Sequence, residues 1–267
     1  MQGSAPFSEA EKPKGKSSTE KFAEAERLHG HLIDSLSETE KAALGLPYVA
    51  NEPALVRARL RARRLLHEFN HSLPSSIDPP DLQPGEKPKG IGGGQNATDV
   101  PPDVMGQERR KIMAKLLNKP LEEMQAVEIE PPFWCDYGTN IKLEGAFYCN
   151  WNTSMVDCAE IWIGNGTLFG PNVHIYAGTH SVSVTEREQG IEHALPIKIG
   201  RDCWLGGNVT VMAGVTIGDG CTIGANSTVT RDIPSYSVAA GTPARVLKTL
   251  QPEERGVEWL QGQKNSQ

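Results

Sequence analysis

The chain has 267 residues, enough for one substantial domain with an appendage rather than two large ones. A formal net charge of -6 and a pI near 5.7 give no general pull toward nucleic acid or anionic lipid. No apolar run approaches the roughly twenty residues a membrane span needs, and the opening residues lack the apolar centre of a secretion signal, so a soluble cytoplasmic protein is expected.

Residues 1 to 30 are polar and charged, the composition of a disordered tail. Residues 31 to 120 read as a helical module. Within it, SETEKAALG predicts a short helix capped by Ser35 or Ser37 and stopped by Gly45. ALVRARLRARRLLHEFNH predicts a longer helix with Val56, Leu60, Leu65, Leu66 and Phe69 mostly on one face. Its other face carries Arg57, Arg59, Arg61, Arg63 and Arg64, read as a solvated surface salt-bridged to Glu52 or another acid rather than as a phosphate site. A Pro/Gly-rich segment at about 73 to 103 is expected to be a flexible insertion. GQERRKIMAKLLNK then resumes as a helix that ends before Pro120, and residues 248 to 267 close the chain as a C-terminal helix and tail.

Between these lies a six-residue beat, running from about Ile141 to Pro234. In register it reads IGNGTL, FGPNVH, IYAGTH, then IGRDCW, LGGNVT, VMAGVT, IGDGCT, IGANST, VTRDIP. Each unit opens on a branched or aromatic apolar residue (Ile163, Phe169, Ile175, Ile199, Leu205, Val211, Ile217, Ile223, Val229). One such strand cannot bury a core, but three wound into a triangular coil and stacked on further coils can. Residues 121 to 247 are therefore expected to form a mainly β solenoid. Cys203 and Cys221, three hexads apart, should fall on adjacent coils, and the glycines are expected to turn its corners through backbone angles other residues avoid.

The five cysteines, Cys135, Cys149, Cys158, Cys203 and Cys221, have no paired CxxC spacing and read as buried free thiols. Asn96, Asn152, Asn208 and Asn226 open Asn-x-Ser/Thr matches, three of them inside the repeats, where the coil itself wants Ser or Thr.

The beat pauses after IYAGTH for about eighteen residues, HSVSVTEREQGIEHALPI, and resumes in phase. Loops at the corners of repeat proteins often build the binding face. His180 stands where the rigid coil ends and this loop begins, a good place for a general base, since a neutral imidazole accepts a proton near neutral pH. His174 is read as structural, and His193 as either shaping the site or exposed.

Taken together, FWCDYGTNI, FYCNWNTSMVD, NVHIYAGTH, CWLGGNVTVMAGVTIGDGCTIGANSTVTRDIP and VAAGTPARV resemble the maltose and galactoside O-acetyltransferases, a branch of the hexapeptide acyltransferases that includes the nodulation-factor acetyltransferases. YVANEPALVRARLRARRLLHEFN resembles their N-terminal helical module. The resemblance implies a left-handed parallel β-helix assembled as a homotrimer, with active sites between subunits, acetyl-CoA as donor and a sugar hydroxyl as acceptor. It implies that His180 is the catalytic base, that Asp136 and Asn150 hold the acceptor or orient the histidine, and that the backbone N–H of Gly207 donates to the oxyanion. Trp204 matches the wall beside the pantetheine; Ala225, Thr230, Arg231 and Arg245 match the rest of the cofactor strip. Each has a plainer alternative, Trp204 capping a coil and Arg245 pairing with a carboxylate.

Two positions depart from the family pattern. Where some members carry a sugar-contacting acid, this chain has Tyr48, Val49, Ala50 and Asn51, with no acid until Glu52; and an aspartate of some members falls at Cys158, one residue after Asp157. The rival readings are a non-catalytic interaction scaffold and a zinc carbonic anhydrase on the same fold. The latter needs three shared histidines, which His174 and His180, on different faces, do not suggest; no metal is called for.

Overall fold

The structure, a computed structural model, describes residues 16–72 and 105–255. Its centre is a three-faced parallel β-helix. The first face stacks Val127–Ile129, Phe147–Cys149, Thr167–Phe169, Trp204–Leu205, Thr222–Ile223 and Ser237–Gly241, with Ala244–Thr249 added antiparallel at the end. The second stacks Phe133–Cys135, Thr153–Val156, His174–Tyr176, Thr210–Val211 and Thr228–Val229; the third stacks Ile141–Glu144, Ile161–Gly164, Ile197–Ile199 and Thr216–Ile217. The winding thus begins one coil before the hexads become legible.

Strand pairing measures the coil. Tyr148 pairs with Leu168 and Ser154 with His174, twenty positions apart, whereas Trp204 pairs with Thr222 and Lys198 with Thr216, eighteen apart. Ile161 pairs with Ile197, thirty-six apart, so the excursion after His180 is one added loop that leaves the stacking undisturbed. The opening residue of every hexad from Ile163 to Val229 is at most 1% exposed. Because each inward side chain touches the one above and the one below, a continuous apolar column replaces the core that a single strand could not form. Cys203 and Cys221 lie on adjacent coils, buried, with the Trp204 N–H donating to the Cys221 carbonyl at 2.8 Å.

Some glycines turn corners as expected, Gly166, Gly214 and Gly220 at positive φ, but those at the second position of the hexad serve another purpose. None of the second-position glycines Gly164, Gly170, Gly200, Gly206, Gly218 and Gly224 has positive φ. A Cβ on Gly206 would lie 2.8 Å from the Ala225 nitrogen, so these positions are small because neighbouring coils touch there. The left-handed turn falls at the fourth position of the hexad, on Asn172, Asp202, Asn208, Gly214, Gly220 and Asn226. Asn tolerates that conformation better than most side chains. The asparagines of three glycosylation-like triplets, Asn152, Asn208 and Asn226, are therefore demanded by the backbone.

The N-terminal part corrects the expected tail. Residues 18–29 form helix α1 (Ser18–His29), opened by a capping box between Ser17 and Glu20. Its composition concealed it because α1 docks by polar contacts and buries only Ala25; the remaining tail residues, 1–15, lie outside the described residues. Helix α2 (Glu38–Ala43) follows, capped by Ser37, with Gly45 at φ 77° beyond its end.

Helix α3 (Pro53–Asn70) buries Leu55, Ala62, Leu66 and Phe69, while Leu60, expected on that face, is 47% exposed. The stripe begins one residue earlier than the sequence suggested. Glu52 caps α3 through the N–H groups of Ala54 and Leu55 instead of pairing with the arginines. Nor is the basic face wholly solvated: Arg59 donates to the Tyr137 hydroxyl and the Ala50 carbonyl, both at 2.7 Å, and Arg61 to the Lys115 carbonyl. Helix α4 (Gln107–Leu117) ends on a left-handed Asn118, and its buried Arg110 pairs with Glu128. The Pro/Gly-rich insertion lies outside the described residues. Of the C-terminal helix and tail expected over 248–267, the described part is instead the end of the exit strand, which runs to Thr249, and a 3-10 turn at Pro252–Glu254; residues 256–267 lie outside the described residues.

Candidate active site

At the corner between the second and third faces, the loop forms a small sheet. Gly178–His180 leaves the coil, helix α5 (Val184–Glu188) turns the chain, and Ile191–Ala194 returns antiparallel. Tyr48–Val49 adds a third strand from the N-terminal module. His180 sits opposite Glu192, and Glu192 opposite Tyr48. The Glu192 carboxylate reaches both: Oε1 is 3.9 Å from His180 Nε2, and Oε2 accepts the Tyr48 hydroxyl at 2.9 Å. The His180 side chain is 60% exposed, so the imidazole faces open space while its strand is fixed by pairing on one side.

Beneath this sheet, the same corner carries Asp136 and the Asp157–Cys158 pair from the preceding coils. Asp157 is buried; its Oδ1 accepts the backbone N–H groups of Asp136 and Tyr137, both at 2.9 Å, and its Oδ2 is a buried oxygen with no hydrogen-bond partner. Burial pushes its carboxyl up to about 6, against the two backbone bonds that lower it. Burial likewise pushes the Cys158 thiol up to about 12, leaving a neutral S–H that donates to Asp136 Oδ2 at 3.5 Å beside the Tyr48 hydroxyl. Tyr48, Asp136, Cys158, His180 and Glu192 are thus one cluster of proton donors and acceptors.

The structure places the other expected residues elsewhere. Asn150, Gly207 and Ala225 stack at the corner between the first and second faces, and Trp204, 53% exposed, stands on the adjoining strand. Asn150 Oδ1 accepts the Trp151 N–H, and the Gly207 carbonyl accepts the Asn226 N–H. Thr230 and Arg231 return to the corner of His180, on the last coil, while Arg245 projects from the antiparallel exit strand with Nη1 donating to the Ala244 carbonyl. Strand order therefore assigns the histidine and Asp136 to one edge of the prism, and Trp204, Gly207 and Ala225 to another.

Residues 196–231 match the family model described as bacterial transferase hexapeptide (six repeats), and residues 41–120 match the maltose acetyltransferase hexapeptide capping motif. A putative acetyltransferase of Schizosaccharomyces pombe is 35% identical over 83% of this chain and 96% of its own. The galactoside O-acetyltransferase of Escherichia coli is 33% identical over 81% of this chain and 91% of its own. The chain belongs to the hexapeptide-repeat acetyltransferases. Among solved structures, a maltose O-acetyltransferase from Clostridium difficile superposes with a TM-score of 0.66 at 31% identity, covering 81% of this chain and 98% of that one. A galactoside acetyltransferase in complex with coenzyme A gives 0.62 at 29% identity, covering 83% and 95%.

The sequence assigned no role to Glu192, and named Tyr48 and Asp157 only where the chain departs from the family pattern, whereas the structure brings all three to the corner of His180. Glu192 was recoverable only by reading IEHA as a return strand, which would have set it against His180. Tyr48 belongs to the segment where an acid was sought; Val49, its neighbour, is 43% exposed, and the nearest acid, Glu52, is committed to capping α3. His193 turns out to pack edge-on against Phe22 with ring centroids 5.5 Å apart, and His174 bonds Ser154 Oγ at 2.7 Å on the outer surface of the second face. Among the described residues, no three His, Cys, Asp or Glu side chains are grouped as metal ligands, and no helix is long and apolar enough to cross a membrane.

Proposed function

We propose that this acetyltransferase moves the acetyl group of acetyl-CoA to a hydroxyl of a sugar, with His180 as general base. The observation that carries the reading is the placement of His180: an exposed imidazole at the end of a paired strand, with the Glu192 carboxylate at its edge and Asp136 in the same corner. Neutral imidazole takes the hydroxyl proton as the sugar oxygen attacks the thioester carbonyl carbon. The resulting oxyanion accepts the Gly207 N–H, a contact worth about 3 kcal/mol in comparable sites. Collapse breaks the C–S bond, and the imidazolium returns its proton to the departing CoA sulfur, leaving free CoA and an acetyl ester.

The carboxylate of Asp136 and the amide of Asn150 are suited to sugar hydroxyls. Trp204 and the small column at Gly207 and Ala225 suit a narrow pantetheine arm, and Thr230, Arg231 and Arg245 suit the nucleotide end, where the arginines meet phosphates. Thr230 and Arg231 share the edge of His180, but Trp204, Gly207 and Ala225 lie on another edge of the prism, so a second copy is what would set this pantetheine stretch against the base. Three copies, each setting its donor edge against the next one's histidine edge, close the ring into a homotrimer with three inter-subunit sites.

The test is release of free CoA thiol from acetyl-CoA with a panel of maltose, glucose and galactosides. His180→Ala should lower turnover by about 10²- to 10⁴-fold with the fold retained. Unchanged turnover in that variant would remove His180 from the mechanism, and absence of any acceptor-dependent release from the intact chain would favour a binding scaffold.

A further inference from the structure

Helix α1 precedes the residues that match the capping motif, and its contacts converge on the donor end of the site. Lys21 grips both oxygens of Asp232, at 2.7 and 3.0 Å, and also donates to the Gly214 carbonyl; Ser18 donates to the Ala213 carbonyl. Asp232 Oδ1 in turn accepts the Thr216 N–H at 2.8 Å, so one carboxylate ties the last corner, the coil beneath it and the helix. Both partners are largely shielded, with side chains 20% and 29% exposed. Phe22, next to Lys21 in α1, packs against His193 in the strand that carries Glu192.

This corner has reason to need an outside hold. On the third face the regular strands end with Thr216–Ile217, and the last coil keeps only the single bridge from Ile217 to Ile233. An inner coil is clamped from both sides, whereas a terminal one depends on whatever covers it. We propose that α1 is a positioning strap for donor binding, with Lys21 fixing the corner that presents Arg231 to the phosphates of acetyl-CoA. The inference rests on the reading of Arg231 given above.

The experiment measures the Kd of CoA by titration calorimetry on the full-length chain, with the Tm of each variant. Lys21→Met is expected to weaken CoA about five-fold, the scale of a partly buried ion pair, with little change in Tm. Lys21→Arg should restore most of the affinity. Arg231→Ala should weaken CoA on its own, and adding Lys21→Met to it should cost nothing more. Additive losses, or a Lys21→Met variant that binds CoA normally while Arg231→Ala does not, would overturn the strap. A lowered Tm without rescue by arginine would reduce Lys21 to a general stabiliser and also overturn it. If Arg231→Ala binds CoA normally, the reading of Arg231 fails first, and the strap's route through it with it.

Discussion

Glu192 and His180 face each other across two antiparallel strands, the carboxylate 3.9 Å from the imidazole Nε2 and held from behind by the Tyr48 hydroxyl at 2.9 Å. The gap is too long for a hydrogen bond, but catalytic contacts of this kind commonly tighten when substrate closes the site. On the proposed mechanism, a carboxylate there selects the ring orientation and favours the imidazolium formed during attack. Glu192→Gln should therefore lower kcat by about ten- to a hundred-fold while changing the acetyl-CoA KM little, and Tyr48→Phe should give a smaller loss of the same kind. Steady-state kinetics with acetyl-CoA and the best acceptor of the panel would check both.

Asp157 makes stability depend on pH. Its carboxyl rises from an ordinary 3.8 to about 6 on folding, so the folded state holds a proton that the unfolded chain has released across that interval. The contribution is fully present below about pH 4 and is lost as pH rises through about 6, amounting to about 3 kcal/mol at most. Asp157→Asn has no proton to lose. The difference in unfolding free energy between the variant and the parent should therefore change across pH 4 to 7 and level off above it, as denaturant titrations would show.

Asn208 turns its corner at φ 59° and donates to Asn226 Oδ1 at 3.1 Å on the next coil. Asn208→Ala should cost about 1–2 kcal/mol for the left-handed backbone, and Asn208→Gly considerably less. Thermal unfolding of the two variants would separate backbone conformation from the lost side-chain bond.

Gly206 makes the opposite prediction from a neighbouring position. Its φ needs no glycine, but a Cβ would stand 2.8 Å from the Ala225 nitrogen, so Gly206→Ala should pry two coils apart and destabilise by about 1–3 kcal/mol. On the proposed reading of Gly207 and Ala225 as part of the donor strip, CoA affinity should fall as well, which calorimetry would detect.

Legibility followed the range of the interactions. The hexad openers from Ile163 to Val229 could be read in order because a residue's burial in this fold depends on its place in a six-residue period. The in-phase interruption located the loop and His180 for the same reason. Helix α1 escaped notice because its stability comes from Asp232 and the carbonyls of Ala213 and Gly214, about two hundred residues away, and no local pattern encodes that docking. Leu60 was misassigned because α3 buries Leu55, Ala62, Leu66 and Phe69, a neighbouring stripe that only the packing partners select.

By itself, then, the sequence determined the β-helix, the eighteen-residue length of its later coils, the position of the loop and the histidine at its root, all consequences of periodicity. It did not determine the twenty-residue coils before them. Only the tertiary structure decided which acid faces that histidine, since Glu192 and Tyr48 meet it through strand pairing between distant segments. It also decided that Asp136 shares the edge of His180 while Trp204, Gly207 and Ala225 lie on another, because the winding of the coils, not distance along the chain, assigns each residue to its corner.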